Sequence, residues 1–338
     1  MKRLMTTGQR NRESRLIERL AQIIPSIRLT GGTAGIRAAI GDDAAVLRPS
    51  RGSELAISCD FSLEGVHFQP DYPPKSIGYK SLARAMSDLD AMGARPRFFL
   101  LALALPAKKT GSWLSRFALG MSRAARDFKS KLIGGDMSKS ALVTICVTVI
   151  GELSAQTPVQ RSGARPGDFV YVTGTLGAAQ LGLEIVLRGL SRRRSLEKHL
   201  RPHLYPRISA TLGLALARQR IPSAMMDISD GLSTDLTRLC AAGGVGAQIR
   251  QDNLPMVQVP PILLSSGVDP LQLALHGGDD YGLLFTVPPE SVPLLRAISR
   301  RVPITQIGQI TRSRKIVLIR PNNRVSPLSA KGWDPFKP

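Results

Sequence analysis

The sequence predicts an α/β protein of two domains, an N-terminal mixed-sheet domain (1–153) and a C-terminal α/β domain (154–338). Three observations carry this. Short apolar runs at 54–58, 98–105 and 142–150 alternate with helical patterns at 77–92 and 113–128, the signature of strands interleaved with helices. The stretch 154–168 is polar and holds two prolines and two glycines, which marks a boundary. Aspartates gather beside glycines next to the apolar runs rather than along helix faces: Gly41-Asp42-Asp43, Gly134-Gly135-Asp136, Asp227-Ile228-Ser229-Asp230-Gly231 and Gly277-Gly278-Asp279-Asp280.

In chain order, Ser14 opens a helical pattern through Leu16, Ile17, Leu20, Ile23 and Ile24 with Glu18 near its first turn. Asp42 and Asp43 precede a strand at 44–47, and Asp60 closes the strand 55–59. Asp88 lies in a helix, three residues from Ala85 and four from Met92, at the edge of the apolar face. Residues 131–133 form a short strand that feeds Gly134-Gly135-Asp136. The second half reads as a strand at 169–173, helices at 177–188 and 208–219, a helix at 233–242, and strands at 246–250 and 282–287.

Lys and Arg outnumber Asp and Glu 46 to 25, a net charge of +21. The basic runs at 2–19, 188–201 and 296–315 lack interleaved aromatics, and no nucleic-acid-binding signature accompanies them. They read as a solvated basic surface able to steer phosphorylated substrates, and nucleic acid is not the expected partner. The longest apolar stretch, 98–105, is too short to span a bilayer. Cys59, Cys146 and Cys240 are widely spaced and form no Cys-x-x-Cys pair, so neither a disulfide framework nor a zinc site is expected. A cytoplasmic location is the default.

Carboxylates beside glycines suit Mg²⁺ and phosphate: carboxylate oxygens match the hard cation, and glycines let backbone N–H groups approach phosphate oxygens. Walker A, protein-kinase and dinucleotide fingerprints are all absent. Each turn alone has a plainer explanation. Asp42 and Asp43 fit an ordinary turn, Asp88 fits a buried ion pair, and Ser229 or Asp230 fits a helix N-cap. Their joint occurrence favours phosphoryl transfer.

Several ordered segments resemble the thiamine-monophosphate kinases, in the superfamily that includes aminoimidazole ribonucleotide synthetase and selenophosphate synthetase. They are Ile40-Gly-Asp-Asp-Ala-Ala-Val-Leu47, Asp60-Phe-Ser-Leu-Glu-Gly-Val-His-Phe68, Ile77-Gly-Tyr-Lys-Ser-Leu-Ala83 and Ser87-Asp-Leu-Asp-Ala-Met-Gly-Ala94. Further along come Gly134-Gly-Asp136, Arg161-Ser-Gly-Ala-Arg-Pro-Gly-Asp168, Met226-Asp-Ile-Ser-Asp-Gly-Leu232, Gly277-Gly-Asp-Asp-Tyr281 and Lys331-Gly-Trp-Asp-Pro-Phe336.

The resemblance implies transfer of the γ-phosphoryl of ATP to thiamine phosphate, several Mg²⁺ ions, and a homodimer that pairs through the N-terminal sheets. It places Asp43, Asp60, Asp88, Asp136, Asp227 and Asp230 at Mg²⁺-ligand positions, with Ser58 and Cys59 able to face the metals. It also places Gly135, Asp136, Arg161 and Ser229 against ATP, and His67, Asp279 and Trp333 against thiamine phosphate. The chain departs from the family pattern at Cys59 (often a hydroxyl residue), Asp279 (usually Glu) and Phe61 (usually Thr). The acceptor phosphate is already ionised near neutral pH, its second pKa being about 6, so no general base is expected. The N-terminal domain is expected to bind ATP and Mg²⁺ and to dimerise.

Overall fold

The computed structural model describes residues 12–27, 35–154, 158–209, 211–298 and 302–336, with the Arg12 side chain outside the description. The basic run that begins at Lys2 therefore lies partly outside the described residues. The chain divides into two units, Met1–Leu89 with Pro96–Glu152, and Asp90–Arg95 with Leu153–Pro338.

In the first unit, α1 (Arg12–Ile23) is followed by the short antiparallel pair β1 (Ile36–Ala38) and β2 (Val46–Leu47). Next come β3 (Ser53–Leu63), α2 (Pro74–Ala91), β4 (Arg95–Leu105), α3 (Ser112–Asp127), β5 (Lys131–Lys139) and β6 (Thr144–Ser154). The four long strands form one sheet in the order β3-β6-β4-β5, with β4 and β5 parallel. Pro74 occupies the first turn of α2, where its missing N–H costs nothing. In α3 the buried side chains Leu114, Phe117, Ala118, Met121 and Ala125 recur at three- and four-residue spacing. Gly78 and Gly120 let α2 and α3 touch backbone to backbone. A Cβ on Gly78 would lie 2.1 Å from the Phe117 carbonyl oxygen, and one on Gly120 would lie 1.9 Å from that of Lys75.

Two strands run further than expected. β3 continues through Asp60 to Leu63, so Asp60 is not at a strand end. β5 runs through Gly134-Gly135-Asp136, which is therefore no turn. Gly135 is required by the close approach of β4: a Cβ there would sit 1.9 Å from the Leu101 carbonyl oxygen.

The second unit carries β7 (Phe169–Thr173), α4 (Ala178–Leu187), α5 (Glu197–Leu204), α6 (Leu212–Arg218), β8 (Ala224–Asp227), α7 (Leu232–Gly243) and β9 (Gly246–Arg250). It continues with α8 (Pro261–Leu264), α9 (Pro270–His276), β10 (Leu283–Val287), α10 (Val292–Ile298), β11 (Ile304–Thr311), β12 (Ile316–Ile319) and β13 (Val325–Pro327). Its seven-stranded sheet has the order β13-β12-β9-β11-β7-β10-β8. Only the β12–β9 pair is parallel.

Strands β7, β8 and β10 are buried on both faces, which is why they read as continuous apolar runs. Val170, Val172, Met226 and Leu284 pack on one face with Leu232 and Leu236 of α7. Tyr171, Met225, Leu283 and Phe285 pack on the other with Leu216 of α6 and Leu295 of α10. Helix α6 begins four residues later than the helical pattern at 208–219 predicts, and β11 falls within the basic run at 296–315. Among the described residues no helix is long and apolar enough to cross a membrane.

Candidate active site

Two groups of expected site residues form in the first unit. A cavity of about 600 Å³ is lined by Asp42 and Asp43 from the β1–β2 connection and by Gly134, Gly135 and Asp136 from β5. Asp43 and Asp136 are both exposed. The Asp43 N–H donates to Asp42 Oδ1 at 3.0 Å, so the first aspartate of the pair props the turn that presents the second. Gly135, without a side chain, leaves its backbone open to a phosphate.

The second group spans β3 and α2. The Ser58 hydroxyl donates to Asp88 Oδ2, and Arg84 lies 3.6 Å from Asp60 Oδ1. Alternation along a strand puts Ser58 and Asp60 on the α2 side and Cys59 on the other. The Cys59 thiol accordingly lies 3.2 Å from Cys146 Sγ and accepts from Thr148 Oγ1 at 3.4 Å, both on β6. The Cys59 side chain thus points away from the Ser58–Asp60–Asp88 group. Cysteines that look remote in sequence are neighbours here. Burial, with Cys59 adding to it, pushes the Cys146 thiol up to about 11.

His67 follows the turn at Gly65. Its Nδ1 accepts the Leu63 N–H at 3.0 Å, which places the ring proton on Nε2.

In the second unit, β8 ends at the buried Asp227 and the chain turns through Ile228-Ser229-Asp230 into α7. Neither Ser229 nor Asp230 is a side-chain cap: Gly231, at φ 106°, holds the N-cap position without a side-chain bond. The Asp230 carboxylate is paired with Arg238, which also reaches Asp235 at 3.0 Å. Asp235 in turn accepts the Asp230 N–H at 3.0 Å. Burial, reinforced by Asp230, pushes Asp235 up to about 6 against the pull of Arg238.

Two further segments hang from this turn. Asp279 N–H donates to the Ser229 carbonyl at 2.8 Å, and Trp333 N–H donates to the Asp230 carbonyl at 2.9 Å. Gly332 must be glycine, because a Cβ there would lie 1.9 Å from the Asp230 carbonyl oxygen. Asp227, Ser229, Asp230, Asp279 and Trp333 are thereby gathered around one turn. The Trp333 indole is 47% exposed, available to stack on a ligand ring.

The neighbouring aspartate has a different task. Asp280 accepts the Gly177 N–H at 2.5 Å and the Ala179 N–H at 3.0 Å, and so caps α4. Arg161 opens a short 3-10 turn (Arg161–Gly163) and is exposed. Within the same motif Asp168 is structural. It is buried and accepts from Arg165 N–H at 2.9 Å and Ser223 Oγ at 2.5 Å.

Sequence reading missed Asp90 and the Asp235–Arg238 pair. Asp90 is buried and accepts the Gly213 N–H at 2.9 Å. Burial pushes its pKa up to about 7, with Asp227 adding to the rise and the Gly213 bond opposing it. The spacing of three residues between Asp235 and Arg238 on one helix was a readable signal.

Among the described residues no three His, Cys, Asp or Glu side chains converge as a closed metal cage. Mg²⁺ takes one or two carboxylates and completes its octahedron with water and substrate phosphate oxygens. The available donors are hard oxygens, several of them solvent-accessible.

Comparisons with known proteins identify the family. The N-terminal domain of AIR synthase related protein matches residues 41–153, and the C-terminal domain matches 165–320. The thiamine-monophosphate kinase of Synechococcus elongatus is 36% identical over 88% of this chain and 91% of its own. That of Salmonella typhimurium is 38% identical over 84% of this chain and 87% of its own. The crystal structure of thiamine-monophosphate kinase from Stenotrophomonas maltophilia superposes with a TM-score of 0.77 at 33% identity, covering 90% of this chain and 94% of that one. AaThiL complexed with AMPPCP and TMP gives a TM-score of 0.76 at 31% identity, covering 99% of both chains. The hydrogenase maturation protein of Escherichia coli shares the fold at 18% identity and a TM-score of 0.74. With relatives above 30% identity along most of its length and both domain families matched, this chain belongs to the thiamine-monophosphate kinase family of AIR synthase related proteins.

Proposed function

We propose that this protein transfers the γ-phosphoryl group of ATP directly to thiamine phosphate, giving thiamine diphosphate and ADP. The single observation that carries the reading is the gathering of Asp227, Ser229, Asp230, Asp279 and Trp333 around one turn. It sets oxygen donors for metal-bound phosphates beside an exposed aromatic. Named relatives and the complex with AMPPCP and TMP support the same pair of substrates.

Donor and acceptor are both anionic, so their repulsion is the main obstacle. Asp43, Asp60, Asp88, Asp136, Asp227 and Asp230 are the residues that would hold Mg²⁺. Bound there, Mg²⁺ supplies charge neutralisation along the phosphates. In this reading the backbone at Gly135 approaches the ATP phosphates, while Arg161 adds a permanent cation and Ser229 a hydroxyl. His67, with its proton on Nε2, donates to the acceptor phosphate, and Trp333 covers the acceptor ring. The acceptor oxygen is ionised already, so proton removal needs no side chain. The N-terminal domain (1–153) pairs with a second copy through its sheet, and the enzyme works in the cytoplasm.

Purified protein incubated with ATP, Mg²⁺ and thiamine phosphate is expected to give thiamine diphosphate and ADP in equal amounts. Binding of ATP without either product would refute the acceptor. Inversion at the transferred phosphorus is expected for direct in-line transfer; retention would indicate a phospho-enzyme.

A further inference from the structure

Asp60 and Asp88 belong to one group between β3 and α2, yet they have unlike partners. The Ser58 hydroxyl donates to Asp88 and brings no charge with it. Arg84 brings a full positive charge to Asp60, with a guanidinium nitrogen 3.6 Å from Oδ1. The Arg84 side chain is 14% exposed and that of Asp60 30%, so the pair sits at the edge of solvent, where its charges are only partly screened. The backbone of Arg84 is fixed as well, because Leu82, Ala83, Ala85 and Met86 around it on α2 are all buried.

A carboxylate so placed is a weak metal ligand on its own. An arginine within about 4–6 Å weakens an aspartate's hold on a proton by roughly 10- to 1,000-fold. A divalent cation meets the same repulsion with twice the charge. Bound nucleotide changes the balance. Its phosphates add negative charge beside the metal, and the planar fork of a guanidinium matches phosphate oxygens as it matches carboxylates. At 3.6 Å the pair with Asp60 is longer than an N–H···O hydrogen bond of about 2.7–3.2 Å, so the guanidinium can turn to a phosphate without breaking such a bond there.

We propose that Arg84 is a positioning residue that keeps a divalent cation off Asp60 until nucleotide is bound, so that this metal and ATP load together. The inference rests on the proposed assignment of Asp60 as a Mg²⁺ ligand. Its consequence is reciprocal: nucleotide strengthens metal binding at Asp60, and the metal strengthens nucleotide binding by the same factor.

The test measures Mn²⁺ affinity by electron paramagnetic resonance, with the metal alone and with the ATP analogue AMPPCP. Without nucleotide, Arg84→Gln should bind Mn²⁺ at least about 10-fold more tightly than the wild type, the low end of the effect of a neighbouring arginine. Adding Asp60→Asn to that variant should remove the gain, which locates it at Asp60. Arg84→Lys keeps the charge and should stay close to the wild type. AMPPCP should strengthen Mn²⁺ binding at least about fivefold more in the wild type than in Arg84→Gln, the scale of an ordinary coupling between sites. Equal Mn²⁺ affinity in the wild type and Arg84→Gln would overturn the proposal, as would Arg84→Lys behaving like Arg84→Gln. A second comparison does not depend on the folding of any Arg84 variant. In the otherwise wild-type chain, Asp60→Asn should weaken Mn²⁺ binding with AMPPCP present and leave it unchanged without; equal weakening in both conditions would overturn the role of Arg84. Formation of thiamine diphosphate is followed separately: its absence refutes the acceptor, whereas the Mn²⁺ affinities decide the role of Arg84.

Discussion

The Ser58 hydroxyl donates to the Asp88 carboxylate, joining strand β3 to helix α2. One hydrogen bond thereby aims a helix carboxylate that sequence spacing alone leaves at the rim of an apolar face. Asp60, two residues along the same strand, lies beside Arg84 one turn earlier on the helix.

Asp88→Asn keeps the shape and the ability to accept from Ser58 while removing the charge. It is expected to lower kcat by about 10²–10³-fold, the scale set by deleting one electrostatic contact to the transition state. Circular dichroism and thermal unfolding should stay close to the wild type. Near-normal turnover would remove Asp88 from the metal-binding set.

Gly135→Ala tests the close approach of β5 to β4. The added Cβ would meet the Leu101 carbonyl oxygen at 1.9 Å, and the φ of 151° further disfavours a side chain. A destabilisation of roughly 2–3 kcal/mol is expected from overpacking against rigid backbone. Equilibrium denaturation measures it, and an unchanged midpoint would contradict the packing.

How far the sequence could be read depends on which contacts are local. Strand β7 and most of β10 announce themselves because both sheet faces are buried and every residue is apolar or β-branched. Gly134-Gly135 misleads as a turn because the reason for Gly135, the Leu101 carbonyl, lies on another strand. The side to which Cys59 points was legible from strand alternation with Ser58 and Asp60. Asp279 and Asp280 look equivalent in sequence. Only the fold, by bringing the N-terminus of α4 to Asp280, separates a helix cap from a candidate ligand contact. Asp90 was invisible for the same reason, since its partner Gly213 is 123 residues away.

Asp90 also carries a pH dependence. Burial raises its folded pKa to about 7 from 3.8, so the folded state binds this proton more tightly than the unfolded chain. Its contribution to stability is therefore full below about pH 4, and is lost as pH rises from there to about 7. Asp90→Asn cannot ionise and can still accept from the Gly213 N–H. The variant should become progressively more stable than the wild type between pH 4 and 7, with a constant difference above that. Denaturant midpoints across this range measure it; a pH-independent difference would contradict the assignment.

Transfer of the terminal phosphoryl group of ATP onto thiamine phosphate unites these residues. The most direct measurement follows ATP labelled at its γ-phosphate, incubated with stoichiometric enzyme and thiamine phosphate, with and without a chelator of Mg²⁺. Label is expected in the terminal phosphate of thiamine diphosphate, matched by ADP and abolished by the chelator. Label released only as inorganic phosphate, or retained on the protein, would contradict it.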